Sequence, residues 1–469
     1  MAVSPLNLAN IQGDVLFGLP KQTESFFFFQ IDQVDSFQTN LANLVPLVTT
    51  AEQTKSNISE IQRFKKNNRI PITKGDGETV HPDIITVSGV NIAFSAKGLQ
   101  KLNITGDLRE SLFTNGMKSG ARSLGDLGTV QGNSFVPDWD DTFMGEIHGV
   151  TLVTGDSRAT VDKKLEEVKS IFLGSVKEVS TVVGDVRPDE EKGNEHFGYR
   201  DGISNPSVEG VDAINPGQTV IDQGVALLGR GNDASSGRPD WALDGSFMAF
   251  RKLPQLVPEF DKFLLDTAGT QEAADLMGAR FVGRWKSGAP IVTTPTKDDP
   301  ELGADPTRNN DFHFTRGDQS ACPFAAHIRK MNPRGDLGES GITPHMVLRR
   351  GIPFGPEVSS EEKASNATSR ERGLLFVCYQ TSIGNGFSFL QQAWANAPSF
   401  PTSGAGFDPI IGQTNDASPR PVGGAFANNI SQPLNLVAQF VNSKGGEYFF
   451  SPSIPTLRDV FAKAVNGTQ

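Results

Sequence analysis

Strand-length apolar runs and amphipathic helical stretches follow one another in the same order twice along this chain, and that repetition constrains its fold most. The first round opens with Phe26 to Ile31, whose phenylalanine run is too short to cross a bilayer and reads as a core strand. A helical pattern over Val34 to Leu47, a strand around Ile84 to Phe94 and a helix through Leu112 to Ala121 come next. His148 to Thr154 is then a strand. Asp156 and Ser157 cap an amphipathic helix with Val161, Leu165, Val168 and Ile171 on one face, and a strand near Val176 to Val183 ends the round. The order β-α-β, insertion, β-α-β is ferredoxin-like.

Residues 185–245 are dense in Gly, Asp, Pro and Asn, which predicts a long connection. Beyond it lie a strand at Phe247 to Lys252, helices through Phe260 to Leu265 and Glu272 to Met277, strands at His345 to Arg349 and Leu374 to Gln380, a helix at Phe389 to Ala395 and a last strand at Tyr448 to Phe450. The second round repeats the first with larger insertions. The residues alone therefore predict an α+β fold with a duplication, divided into 1–190 and 191–469.

Three short segments carry the candidate chemistry. In Gly198-Tyr199-Arg200-Asp201-Gly202 the glycines allow positive φ and a close approach of the backbone to a flat ligand, so Asp201 is a candidate to move a proton between the two oxygens of hydrogen peroxide. An ordinary Asp-Gly turn is the plain alternative. In Cys322-Pro323-Phe324-Ala325-Ala326-His327, small and apolar residues lead to a histidine, the commonest haem-iron ligand, and Arg329, Lys330 and Arg334 follow as candidates for haem propionates. A buried histidine satisfied by a carbonyl is the rival reading. Met346-Val347-Leu348 reads as a short strand that delivers Arg349 and Arg350 ahead of Pro353. A guanidinium there stabilises the charge that develops as an O–O bond splits, whereas an arginine pair at a strand end is also a common salt-bridge feature.

Composition excludes several classes. A net charge of −11 argues against a nucleic-acid or anionic-membrane partner, and two cysteines, Cys322 and Cys378, build neither a disulfide framework nor a structural zinc set. No G-x-S-x-G elbow, Walker loop or H-E-x-x-H helix occurs, Gly229-Arg230-Gly231 does not extend to a dinucleotide fingerprint, and Arg316-Gly317-Asp318 reads as a turn.

The three segments, in their order and with their flanking residues, resemble the dye-decolorizing peroxidase family. The resemblance runs from Leu6-Asn7-Leu8-Ala9-Asn10-Ile11-Gln12-Gly13-Asp14 to Asp408-Pro409-Ile410-Ile411-Gly412-Gln413 and is greatest to the fungal branch. It implies two packed ferredoxin-like units of the dimeric α+β barrel type, antiparallel sheets with peripheral helices, and one haem b per chain in the second. It further implies His327 as the iron ligand, Asp201 as distal acid-base with Gly202 beside it, and Arg349 as charge stabiliser. Leu374 and Phe376 would line the peroxide pocket, and Asp408 would orient the imidazole. Hydrogen peroxide and aromatic donors such as dyes and phenols are the implied substrates, for a monomer or homodimer. A haem carrier with little peroxide turnover is the alternative, which would not need Asp201 paired with Arg349. A cofactor-free barrel would leave His327 and the basic residues after it unexplained.

A buried haem cannot touch bulky donors, so electrons would hop through a surface Trp or Tyr, of which the chain has four and three against 32 Phe. Trp394 matches a position where fungal relatives carry a surface-oxidation tryptophan, and a core-packing aromatic is the equal alternative. Phe354 stands where related sequences can have a redox-active tyrosine. The opening Met1-Ala2-Val3-Ser4-Pro5-Leu6 lacks the regions of a signal peptide and taken alone reads as intracellular. Because the fungal relatives are often secreted, an extracellular location is the expectation. The sequons at Asn57, Asn103, Asn366, Asn429 and Asn466 permit glycosylation without deciding this.

Overall fold

The computed structural model describes residues 5–67, 72–73, 79–80, 85–416 and 418–463. The predicted strand start at Ile84 and the sequon at Asn466 lie outside them. Nine strands form one antiparallel sheet: β1 (Thr23–Ile31), β2 (Ser88–Phe94), β3 (Gly149–Gly155) and β4 (Val176–Asp185) from the first half, and β5 (Ser246–Pro254), β6 (Leu348–Arg349), β7 (Ile352–Phe354), β8 (Gly373–Gln380) and β9 (Gly446–Ser451) from the second. Their spatial order is β6-β8-β5-β9-β2-β3-β1-β4, with β7 also paired to β8. Numbered within its own half, each set of strands has the ferredoxin-like order 4-1-3-2, with β6 and β7 sharing the second place.

The two sets join through Phe450 of β9 and Phe94 of β2. At the other side β4 comes back against β7: the space a Cβ would occupy at Gly184 is already filled by Ile352 and the Pro353 carbonyl. The sheet thereby curls into a barrel. The phenylalanine run explains how it is filled. Phe26 and Phe28 face inward, with ring centroids 4.9 and 5.1 Å from Phe250 of β5, while Phe29 faces outward against Phe37 and Phe172 at 5.7 and 5.8 Å. Phe37 lies on α1 (Val34–Leu44) and Phe172 follows α2 (Arg158–Ile171), so β1 is buried on both faces and reads as an unbroken apolar run.

Local chemistry sets the element ends. Ser157 caps α2 by accepting from the Thr160 amide, whereas Asp156 instead accepts from Val87. The predicted helix over Leu112 to Ala121 is broken, because Gly116 takes φ 75° and ends Ser111–Asn115 before a 3₁₀ turn at Met117–Gly120. The strand predicted from His345 shrinks to β6, since Thr343–His345, with Pro344 inside it, forms a 3₁₀ turn. Helices α3 (Val257–Ala268) and α4 (Gln271–Val282) and the short α5 (His327–Met331) belong to the second half. Both cysteines are free and buried.

Candidate active site

Every residue lining the main cavity lies between 195 and 441, inside the second half. The cavity holds about 1640 Å³ of non-protein space, counting its open mouth. One wall is the turn that carries Asp201. The Glu195 carboxylate accepts from the amides of Phe197 (2.9 Å) and Tyr199 (2.8 Å), and the Asp201 amide donates to Gly193 O, with Gly198 and Gly202 at φ 91° and 82°. This folding presents the Asp201 side chain to the cavity. Its Oδ1 accepts from Gly202 N (2.6 Å) and from Arg349 Nη1 (2.8 Å). Burial pushes the Asp201 carboxyl up, but the Arg349 charge and the Gly202 amide more than offset this and hold it below the usual carboxylate range.

The other wall begins at α5. Ala325 and Ala326, fully buried, leave room for His327 at its first turn. His327 Nδ1 donates to Asp408 Oδ2 at 2.8 Å, and Asp408, itself fully buried, accepts from the Ile410 and Ile411 amides on Oδ1. With three donors directed at it, the Asp408 carboxylate fixes the tautomer and leaves His327 Nε2 without a partner among the described residues, in a side chain that lines the cavity. Leu374 and Phe376 of β8 line the same space, with Leu390 and Ile410.

Not every predicted residue reaches it. Arg329 is turned away: its guanidinium binds both Asp336 oxygens at 2.7 Å and the carbonyls of Thr315, Asp318 and Cys322. Lys330 Nζ donates to Trp394 O and Ala397 O. Arg334 sits one layer back, donating to Gly217 O, Asn310 and Ser204. The buried cation that does line the cavity is Arg284, which no sequence pattern marked. Arg284 and Arg334 share Asn310 Oδ1 and neither makes an ion pair among the described residues. Burial, helped by the charges of Arg334 and Arg349, pushes Arg284 down to about 9, and burial pushes Arg334 down to about 10. Arg284 donates to the Gly288 and Asn309 carbonyls, to Ser204 Oγ and to Asn310 Oδ1, and with no carboxylate beside it among the described residues this wall favours an anionic ligand. An unpartnered imidazole nitrogen, apolar walls and a carboxylate-seeking cation together fit a haem with its propionates.

Of the arginine pair, Arg349 enters the cavity, whereas Arg350 is the structural member and donates to the carbonyls of Asp14, Leu16 and Arg349. One further prediction is corrected. Trp394 is not on the surface. It is 3% exposed, stacked on Phe400 at 4.9 Å, with its edge against His345 and Phe389.

The fold and this cavity together fit a haem-binding protein of the α+β barrel kind. Comparison with known proteins carries the assignment further. The pattern described as "DyP dimeric alpha+beta barrel domain" matches residues 10–188, and "Dyp-type peroxidase, C-terminal" matches residues 193–400. Peroxidase 2 of Mycetinis scorodonius is 44% identical over 97% of this chain and 88% of its own length. A dye-decolorizing peroxidase of Auricularia auricula-judae is 43% identical over 97% and 87%. The solved structure of a Pleurotus ostreatus dye-decolorizing peroxidase variant superposes with a TM-score of 0.92 at 45% identity, over 98% of this chain and all of that one. The chain belongs to the DyP-type peroxidases, which are haem enzymes.

Proposed function

We propose that this peroxidase uses hydrogen peroxide to oxidise dyes, phenols and other aromatic donors, with one haem b ligated by His327, positioned by Asp408 and held on its propionate side by Arg284. The observation that carries the reading is the juxtaposition of the His327–Asp408 pair and the Asp201–Arg349 pair at one cavity. When bound, haem supplies the redox centre that accepts two oxidising equivalents from peroxide and passes them singly to donors. The chain's own residues do the rest. Asp201, ionised, takes a proton from one peroxide oxygen and delivers it to the other, so that water leaves. Arg349 offers its fork to the charge that develops on that oxygen. Leu374 and Phe376 keep the pocket apolar and small. A haem carrier would have no use for the Asp201–Arg349 pair.

The test is a set of three variants. His327→Ala should lose the Soret band. Asp201→Asn and Arg349→Leu should keep normal haem content yet react with peroxide in stopped-flow mixing roughly 100-fold or more slowly. Retained haem with an unchanged spectrum in His327→Ala, or unchanged rates in both distal variants, would overturn the assignment.

Trp394 is part of the same proposal as an internal relay. Lys330, on the helix that His327 opens, binds the Trp394 carbonyl, and the Asp408 amide donates to Ala395 O, so the indole's segment is tied to both residues of the imidazole side. Half-buried Phe400, His345 and Phe389 lie between the indole and solvent. An extracellular location belongs to this proposal too, and rests on the family resemblance; assay of culture filtrate of the source cells tests it.

A further inference from the structure

Arg349 lies at the end of a two-residue edge strand, where the sheet holds it on one side only. Its Cα partner on β8 is Cys378, and the next amide, Arg350 N, donates to Val377 O. The amide and carbonyl of Arg349 itself point the other way, off the sheet edge, where unpaired backbone groups are costly. Asn205 fills that place. Its Oδ1 accepts from Arg349 N at 3.0 Å and its Nδ2 donates to Arg349 O at 3.3 Å, a carbonyl that also accepts from Arg350 Nη1 at 2.9 Å, so one side-chain amide engages both backbone groups as a neighbouring strand would. Asn205 is braced in turn: its carbonyl accepts from Gln218 Nε2, and Pro206 leads into the short ladder of Ser207–Val208 with Val220–Ile221. It is also four residues beyond Asp201 on the same loop.

We propose that Asn205 is the positioning residue of the distal site. By clamping the Arg349 backbone to the loop that carries Asp201, it sets the distance between the proton-moving carboxylate and the charge-stabilising guanidinium. The observed Asp201–Arg349 contact of 2.8 Å connects two segments 148 residues apart, and the Asn205 clamp is the second link between them. This rests on the peroxidase reading of Asp201 and Arg349 above. Without the clamp, the strand end and with it the guanidinium swing relative to Asp201, and a displacement of about an ångström is enough for a large rate loss.

The experiment uses the haem-loaded full chain and compares wild type, Asn205→Ala, Arg349→Leu and the double variant. Asn205→Ala should slow the stopped-flow reaction with peroxide by about ten- to a hundredfold and raise the KM for peroxide, while kcat for a small phenol at saturating peroxide stays unchanged. The affinity for fluoride, read from the visible spectrum, should fall with it, because that anion also needs a placed donor. In the Arg349→Leu background Asn205→Ala should have no further effect, whereas a merely structural residue would cost the same in both backgrounds. If Asn205→Ala fails to load haem, Asn205→Asp, which keeps the acceptor for Arg349 N and loses the donor, takes its place with the same expectation. A peroxide rate and fluoride affinity within twofold of wild type, or an equal loss in the Arg349→Leu background, overturns the proposal. Wild-type rates in Arg349→Leu itself would instead overturn the charge-stabilising role of Arg349 on which it rests.

Discussion

At Asp201 two influences oppose each other, burial and the charge of Arg349, and the second prevails. Its pKa in the fold lies below the usual 3.8, so the carboxylate persists into acid, and the stability it contributes is present above the unfolded value and lost as pH falls through the lower folded one. The rate constant with peroxide should therefore stay flat from neutral pH down to about 4, and Arg349→Leu should move the acid limb of that profile upward. Stopped-flow rates across pH measure both. On the imidazole side, Asp408→Asn removes the negative charge that fixes the His327 tautomer; haem affinity or turnover should drop by roughly 10- to 100-fold, read by haem titration. Trp394→Phe keeps an aromatic of similar shape, so large-dye turnover should fall strongly while the peroxide step is unchanged; equal activity on large and small donors would make Trp394 a packing residue. Asp201, His327 and Arg349 stood out as candidates because each lies in a short segment with a chemical reason, and Asp408 entered only through the family resemblance. Arg284 and Asn205 did not stand out, since a lone buried arginine and an asparagine before proline have no pattern until the chain folds around them.

Among the elements, the seam between β4 and β7 is the most demanding. Gly184 is required there because the Ile352 side chain and the Pro353 carbonyl take up the space of a Cβ. Gly184→Val should cost about 1–3 kcal/mol in unfolding free energy as the seam opens, measured by denaturant titration. Element types were readable wherever periodicity ran long, as in β1, α1, α2 and β8. Their ends were misread where one residue overrode the pattern: Gly116 divided a predicted helix, and the turn around Pro344 shortened β6 to the two residues that present Arg349.

In the whole molecule the two halves share one interior. Phe28 packs on both Phe250 and Phe449, and Asp126 of the first half accepts from Arg251 of β5 at 2.5 Å and from Trp139 Nε1 at 3.0 Å, all out of contact with solvent or nearly so. Asp126→Ala leaves the Arg251 charge buried and unpaired, and should lower stability by about 3–5 kcal/mol while removing no residue of the cavity lining. Chemical unfolding should show that loss with normal haem content.

The sequence by itself determined the α+β duplication, the buried character of β1 and the candidacy of Asp201, His327 and Arg349, because periodicity and short motifs are local and survive without coordinates. Only the tertiary structure decided which cations face the cavity and that Trp394 is interior. Arg329, Lys330 and Arg334 follow His327 closely in the chain, yet a five-residue helix and the turn after it send them in other directions, toward Asp336, Trp394 O and Asn310. Arg284 arrives instead from just beyond α4, brought there by the packing of elements far apart in sequence.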